Sequence, residues 1–279
     1  MSIDFEKIEQ IVGADMRAFF ERLHNQNATL GIVPRTPSPF QIEFDSIKDR
    51  FTYPATNGTI PLSIPLPPDI HIFMQNKLGI CLAEAVTGML SNTYGKILNP
   101  RFTWNSIVPL NEQLNIPIQN GTTIAIAIEA ALRGSCLLTT LPDDTLLDLQ
   151  TYSTAPITPA MDAEAQQYRL LRGAYKLKPS FADITQAIAQ YGAVVLVIDY
   201  CELLSSMWNG YSPVVTAANC GAVVDSHGIW AGGYTPQTIL TVNSFSSAWG
   251  TNGTFEIDET FVQEHVQDLA IPLSLLPTA

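Results

Sequence analysis

The sequence predicts an α+β chain, with helices through its first half, antiparallel strands through its second, and a groove where the two halves meet. Three observations carry this. Apolar residues recur at helical spacing in CLAEAVTGMLSNTYG (81–95), TIAIAIEAALRGS (123–135) and FADITQAIAQYGA (181–193). From Val194 onward the period changes to two, or to unbroken apolar runs. Gly, Pro and Asn then punctuate the C-terminal half at turn spacing.

The totals fit this reading. The chain has 279 residues, enough for one large domain or two small ones. Apolar residues make up 46% of it and charged residues only 14%, so it has material for a core and not the composition of a disordered chain. The formal net charge is −12 and no Lys/Arg cluster occurs, which excludes a nucleic-acid partner bound through its phosphates. The N-terminus lacks an apolar signal region, and no run approaches a membrane span. Four cysteines, without a CxxC spacing, read as free thiols rather than a disulfide framework or a zinc site. The expectation is a cytoplasmic or virion-associated protein without a cofactor. Composition does not set its oligomeric state.

Taken in order, residues 3–24 read as an amphipathic helix, with Asp4 placed to cap it. Residues 25–70 are rich in Pro and Thr, with one strand-like patch at Phe40–Phe44, and read as an extended arm. Residues 1–60 therefore form an N-terminal segment distinct from the domain of residues 61–279. The helix at 81–93 opens on Cys81. The next ends at Gly134. The third has Ser180 as N-cap and Gly192 at its C-terminus. Val194–Asp199 reads as a buried strand. HGIWAGGY (227–234), TILTVNSF (238–245) and TFEID (254–258) read as antiparallel strands. The Asn-Gly-Thr triplets at Asn57, Asn120 and Asn252 read as turns.

A lone Cys is most often a small apolar core residue. Cys81 differs because it stands on the first turn of a helix, where unpaired N–H groups and the macrodipole favour a thiolate. A thiolate nucleophile needs a base and a group to orient that base. Of the four histidines, His24 and His265 lie on charged stretches and read as solvated, and His71 follows the Pro-rich arm. His227 opens an apolar strand. The next strand carries Asn243, so adjacent antiparallel strands would set the two side by side.

HGIWAGGY followed by TVNSFSSAWGTNGTFEI resembles the papain-like cysteine peptidases. Their His segment runs His-Ala-Val-x-x-Val-Gly-Tyr. Their Asn segment runs Asn-Ser-Trp-Gly-x-x-Trp-Gly-x-x-Gly-Tyr-Phe. The chain keeps His227, Gly233 and Tyr234, then Asn243, Ser244, Trp249, Gly250, Asn252, Gly253 and Phe255. LPPDIHIFMQNKLGICLAEAVTGML is similar to the start of the family's mature domain, with Gln75 at the spacing of an oxyanion-hole glutamine before Cys81. The resemblance spans residues 62–265. It implies a two-lobed fold, with a helical N-terminal lobe holding a central nucleophile helix and an antiparallel, β-barrel-like C-terminal lobe. It also implies a Cys81–His227–Asn243 triad acting on peptide or protein substrates, with Gln75 in the oxyanion hole. Ser244, Phe245 and Trp249 support the site, and Asp225, Ser226 and the Cys201–Tyr211 loop neighbour the substrate pocket. Ile80, Leu82, Phe245 and Ser246 depart from the family pattern. Two alternatives stay open: a catalytically silent copy used in virion assembly, and an endopeptidase of cell-wall peptides. Residues 1–60 read equally as an inhibitory prosegment or as a packing arm.

Overall fold

The computed structural model describes residues 42–43, 60–170, 172–208 and 210–273. The helix expected at residues 3–24 lies outside them. Among the described residues, the longer helices of the first half are α1 (Cys81–Tyr94), α2 (Pro100–Gln113) and α3 (Ile124–Arg133). The second half carries α4 (Phe181–Tyr191), α5 (Glu259–His265) and most of a seven-stranded sheet. Its strands are β1 (Ile42–Glu43), β2 (Arg172–Leu177), β3 (Val194–Cys201), β4 (Val223–Tyr234), β5 (Thr238–Val242), β6 (Thr254–Asp258) and β7 (Val266–Leu273). They run in the order β1-β2-β7-β3-β4-β5-β6, antiparallel throughout except between β1 and β2.

Local chemistry ends the helices where the sequence signals it. Ser180 and Asp183 close a reciprocal capping box on α4, and Gly192 follows its last turn. Gly95 closes α1 with φ of 60°. Helix α2 has no apolar periodicity to announce it. Asn99 caps it and Pro100 starts it, and its buried face includes Arg101, Thr103 and Asn111. Those groups are tolerated inside because they are bonded. Arg101 donates to the carbonyls of Tyr152, Pro142 and Thr151, and Asn111 donates to that of Gly121.

Strand β3 explains how two lobes share one centre. Its side chains alternate between faces. Val195 and Val197 pack with α1 and α3, while Leu196, Ile198 and Tyr200 pack with α4 and the far side of the sheet. Both faces are covered, which is why the sequence reads there as an unbroken apolar run. Each such side chain contributes about 1.5–3 kcal/mol by burial. Strand β4 lies beside β3 and presses onto α1. A Cβ on Gly228 would meet Leu82 Cδ2 at 2.7 Å, and one on Gly88 would overlap the Trp230 indole, so these two glycines permit the approach.

The expectation of four free thiols is corrected. Cys81 and Cys136 are free, but Cys201 and Cys220 form a disulfide with Cα atoms 5.5 Å apart. The chain leaves β3 at Cys201 and returns through the short helix Ala217–Cys220, a closure that residue spacing alone does not announce. The closed loop also holds Met207 and Trp208, and the carbonyl of Met207 accepts from the Gly250 N–H at 2.6 Å. A 19-residue separation predicts that replacing both cysteines by alanine lowers stability by about 3 kcal/mol. Urea midpoints of the oxidised wild type and the double variant check this, and equal midpoints would reject it.

His265 is also corrected. Its charged stretch predicts a solvated side chain, yet its imidazole is largely buried, with Nδ1 3.1 Å from Asp199 Oδ2. The cause is the pairing of β3 with β7, which brings the two residues together.

Candidate active site

Ile80, the N-cap of helix α1, supplies no side-chain cap, so the first-turn N–H groups are left for whatever lies at that end. What lies there is the Cys81 sulfur, fully buried. The Gly228 N–H donates to Sγ at 3.3 Å. The Leu82 N–H also favours a charged sulfur.

His227 sits within β4, opposite Ile198 of β3, so the strand begins earlier than HGIWAGGY suggests. The β4–β5 register pairs Trp230 with Val242 and places Asn243 one residue beyond the last pair. His227 Nε2 lies 2.7 Å from Asn243 Oδ1. The Ser244 N–H donates to the same Asn243 atom at 2.7 Å. That second donor marks the atom as the amide oxygen, so the imidazole carries its proton on Nε2. Nδ1 is buried and has no hydrogen-bond partner among the described residues. It therefore presents a free lone pair.

Aromatic packing fixes the ring. Phe245 stacks on His227, with centroids 4.9 Å apart and planes 19° apart. Tyr200 meets the imidazole edge-on at 5.5 Å. Trp249 meets Phe245 edge-on at 6.0 Å, and its Nε1 donates to the Leu204 carbonyl. The Asn-Gly turn at 252–253 has both φ values positive, 54° and 83°, as a tight hairpin requires.

Gln75 is fully buried and held at both ends of its amide. Nε2 donates to the Leu78 carbonyl at 2.9 Å, and Oε1 accepts from the Ser244 hydroxyl at 2.7 Å. The Gln75 N–H donates to the Ser244 carbonyl, which ties the two segments together. The second N–H of Nε2 remains for another acceptor. Contacts thus link Gln75 to Ser244, Asn243 to His227, and His227 through Phe245 to Trp249, and Cys81 joins them through the Gly228 N–H. Tyr200, Gly228 and Glu84 complete the surroundings of these residues and carry no separate sequence signal.

Burial decides the resting charges. A helix N-terminus alone predicts a depressed thiol, but desolvation pushes the Cys81 thiol far up, and the carboxylates of Asp225 and Glu84 push it further. Desolvation also draws His227 down to about 4, against the opposing effect of Asn243. Burial therefore leaves Cys81 as a neutral thiol and His227 as a neutral imidazole at rest. The imidazole makes stability pH-dependent. Its folded value lies below the ordinary one near 6.5, so the unfolded state binds the extra proton between those values. The contribution of His227 is complete above pH of about 6.5 and declines as pH falls, by roughly 3 kcal/mol in all by about pH 4. Urea unfolding between pH 7 and 4 is expected to weaken more steeply for wild type than for His227→Gln. Parallel curves would reject this.

No protein-family model and no curated protein matches the chain by sequence. Solved structures do match by shape. Xylellain, a cysteine protease from Xylella fastidiosa, is 15% identical with a TM-score of 0.66, covering 86% of this chain and 94% of its own. Digestive procathepsin L2 proteinase from the Tenebrio molitor larval midgut is 15% identical with a TM-score of 0.64, covering 96% and 90%. A Carica candamarcensis cysteine protease in complex with E-64 is 17% identical with a TM-score of 0.56, covering 76% and 98%. The chain has the papain-like fold, and its helices and antiparallel sheet agree with the α+β expectation. Among the described residues, no helix is long and apolar enough to cross a membrane.

Proposed function

We propose that the chain is a cysteine peptidase that hydrolyses peptide bonds through a covalent acyl-enzyme. The observation that carries this is the imidazole clamped through Nε2 by Asn243, with Nδ1 left free, beside the Gly228–Cys81 contact. The likeness in fold to cysteine proteases supports it.

In the proposed reaction, the Cys81 thiol gives its proton to His227 Nδ1. The thiolate then attacks the carbonyl carbon of a peptide bond, and a C–S bond forms as the carbonyl π pair moves onto oxygen. That oxyanion accepts from the Cys81 N–H and the remaining N–H of Gln75 Nε2. His227 delivers its proton to the leaving amine and the C–N bond breaks. It next takes a proton from water, whose oxygen attacks the thioester, and the sulfur leaves with the electron pair of the C–S bond. Asn243 holds the ring throughout and stabilises its charged form. The neutral resting pair requires the site to admit substrate or water before the ion pair forms, because burial is what opposes both charges.

The test is covalent labelling by an epoxide thiol reagent between about pH 5 and 8, followed by peptide mapping and a peptide-library cleavage profile. Labelling at Cys81 with turnover supports the reading. A folded protein that neither labels at Cys81 nor cleaves any peptide would instead be a silent copy of the fold.

Residues 1–60 are proposed to act as a removable segment. Of these residues, Ile42 and Glu43 pair with β2, at the edge of the sheet far from β4. Mass spectrometry after acid incubation is expected to find them released, and an intact chain that is already active would make them a packing arm.

A further inference from the structure

Glu84 lies one helical turn after Cys81 on α1, and it is 1% exposed. Neither carboxyl oxygen has a hydrogen-bond partner among the described residues. A buried carboxyl in that condition is costly and calls for an explanation. Its surroundings offer one. Glu84 lines a small pocket together with His71, Phe73, Trp230, Asn243 and Ser244. About 10 Å³ there is open to the centre of a water molecule, which is room for one. Four of those residues bring polar atoms, which matches the two to four partners an internal water needs.

Ser244 is the point of contact with the active site. Its hydroxyl has one proton to donate and two lone pairs to receive with. The proton goes to Gln75 Oε1, and the backbone N–H of the same residue holds Asn243 Oδ1. A donor on the pocket side would engage a hydroxyl lone pair and keep the proton turned toward Gln75. Burial first, and the nearby Asp143 carboxylate second, hold the Glu84 carboxyl well above the usual carboxylate range; Ser244 acts in the opposite direction, although it makes no direct hydrogen bond to the carboxyl. The other titratable groups that interact with Glu84 are Asp143, which accepts from Tyr152 Oη at 2.6 Å and lies near Arg101, Tyr152 itself, and the neutral Cys81 thiol.

We propose that Glu84 is a positioning residue that holds one water in this pocket and, through it, orients the Ser244 hydroxyl and so the Gln75 amide. This rests on the peptidase reading, and it adds a group that touches neither substrate nor nucleophile directly. Because Gln75 acts only when the oxyanion forms, the effect belongs in kcat rather than KM.

Two measurements test it. In a high-resolution crystal structure of the wild-type protein, a water is expected within hydrogen-bond distance of both a Glu84 oxygen and Ser244 Oγ. An empty pocket overturns the proposal, whatever the activity. In peptide turnover, Glu84→Leu is expected to lower kcat about 10- to 30-fold with KM unchanged, below the loss of about 100- to 1000-fold for a whole oxyanion donor. Glu84→Gln, which keeps polar atoms for the water, should restore kcat to within about fivefold of wild type. In a Gln75→Ala background, Glu84→Leu should cost less than about twofold, since the group it acts through is gone. Additive losses, or a folded Glu84→Leu protein with wild-type kcat, would overturn the proposal while leaving the peptidase reading intact. A wild type without turnover or Cys81 labelling would instead remove that reading.

Discussion

Replacement of Cys81 by alanine is expected to abolish turnover, with kcat falling by at least about 10⁴-fold. The expectation follows from where the sulfur sits. It is the one free thiol of the described residues that lies against the helix α1 N-terminus and the Gly228 N–H, while Cys136 is buried in a separate cluster with Phe102 and Leu141. Residual rate in a triad enzyme comes from the oxyanion donors and binding, so Cys81→Ala and the double variant with His227→Ala should be equally inactive. Cys81→Ser gives a sharper test. An alcohol is a far weaker acid than a thiol, so the serine variant should also fail although it fills nearly the same space. Folding must be checked alongside, because removing a buried sulfur leaves a small void. Near-UV circular dichroism and urea midpoints close to wild type would show that the loss is chemical. Cys81→Ala with more than about one-tenth of wild-type turnover would sink the covalent mechanism, since no other group is placed to replace the nucleophile.

The residues that carry this argument were legible in the sequence for a physical reason. A histidine held by an asparagine of the neighbouring strand needs both at fixed points, and the surrounding Gly, Trp and turn residues are held to narrow geometries. His227, Asn243 and the Asn252–Gly253 turn therefore keep a readable pattern. The termini of α4 were legible too, because Ser180 and Gly192 are local chemistry. What escaped depends on contacts between distant segments. Helix α2 buries Arg101 and Asn111 against carbonyls from other loops, so no apolar stripe marks it. The Cys201–Cys220 bond depends on the path of the loop between β3 and β4. The resting charge of Cys81 does not follow from the sequence, because the helix terminus is local and visible while desolvation arises from the whole surround. Glu84 shows the same limit, since a charged letter on a helix gives no sign that its neighbours close over it.

Phe245→Ala is expected to damage both stability and chemistry. Phe245 is fully buried, stacked on His227 and edge-on to Tyr200 and Trp249. Truncation would cost about 3–5 kcal/mol through lost burial and the cavity left behind. It would also open the face of the imidazole that the phenyl ring covers. Water could then compete for Asn243 Oδ1, and the ring would gain freedom to tilt away from Cys81. A displacement of that kind can cost about 100-fold in rate, so kcat should fall by that order even at temperatures where the variant stays folded. Phe245→Trp separates the two roles. The family pattern places a larger indole at this position, yet here His227 is already fully buried and Asn243 is 4% exposed with a phenyl ring in place. The hydrogen bond is dry without the indole. The extra atoms would press on Tyr200 and Trp249, and overpacking of a full core costs about 1–3 kcal/mol. The tryptophan variant should therefore be less stable than wild type and no faster. If it were faster, the phenyl ring would be an incomplete shield, and the departure from the family pattern would be a loss of efficiency rather than a matched repacking of Tyr200, Phe245 and Trp249. If Phe245→Ala lost stability but kept wild-type kcat at a folded temperature, the ring would serve packing alone, and the orientation of His227 would rest on Asn243 and Tyr200.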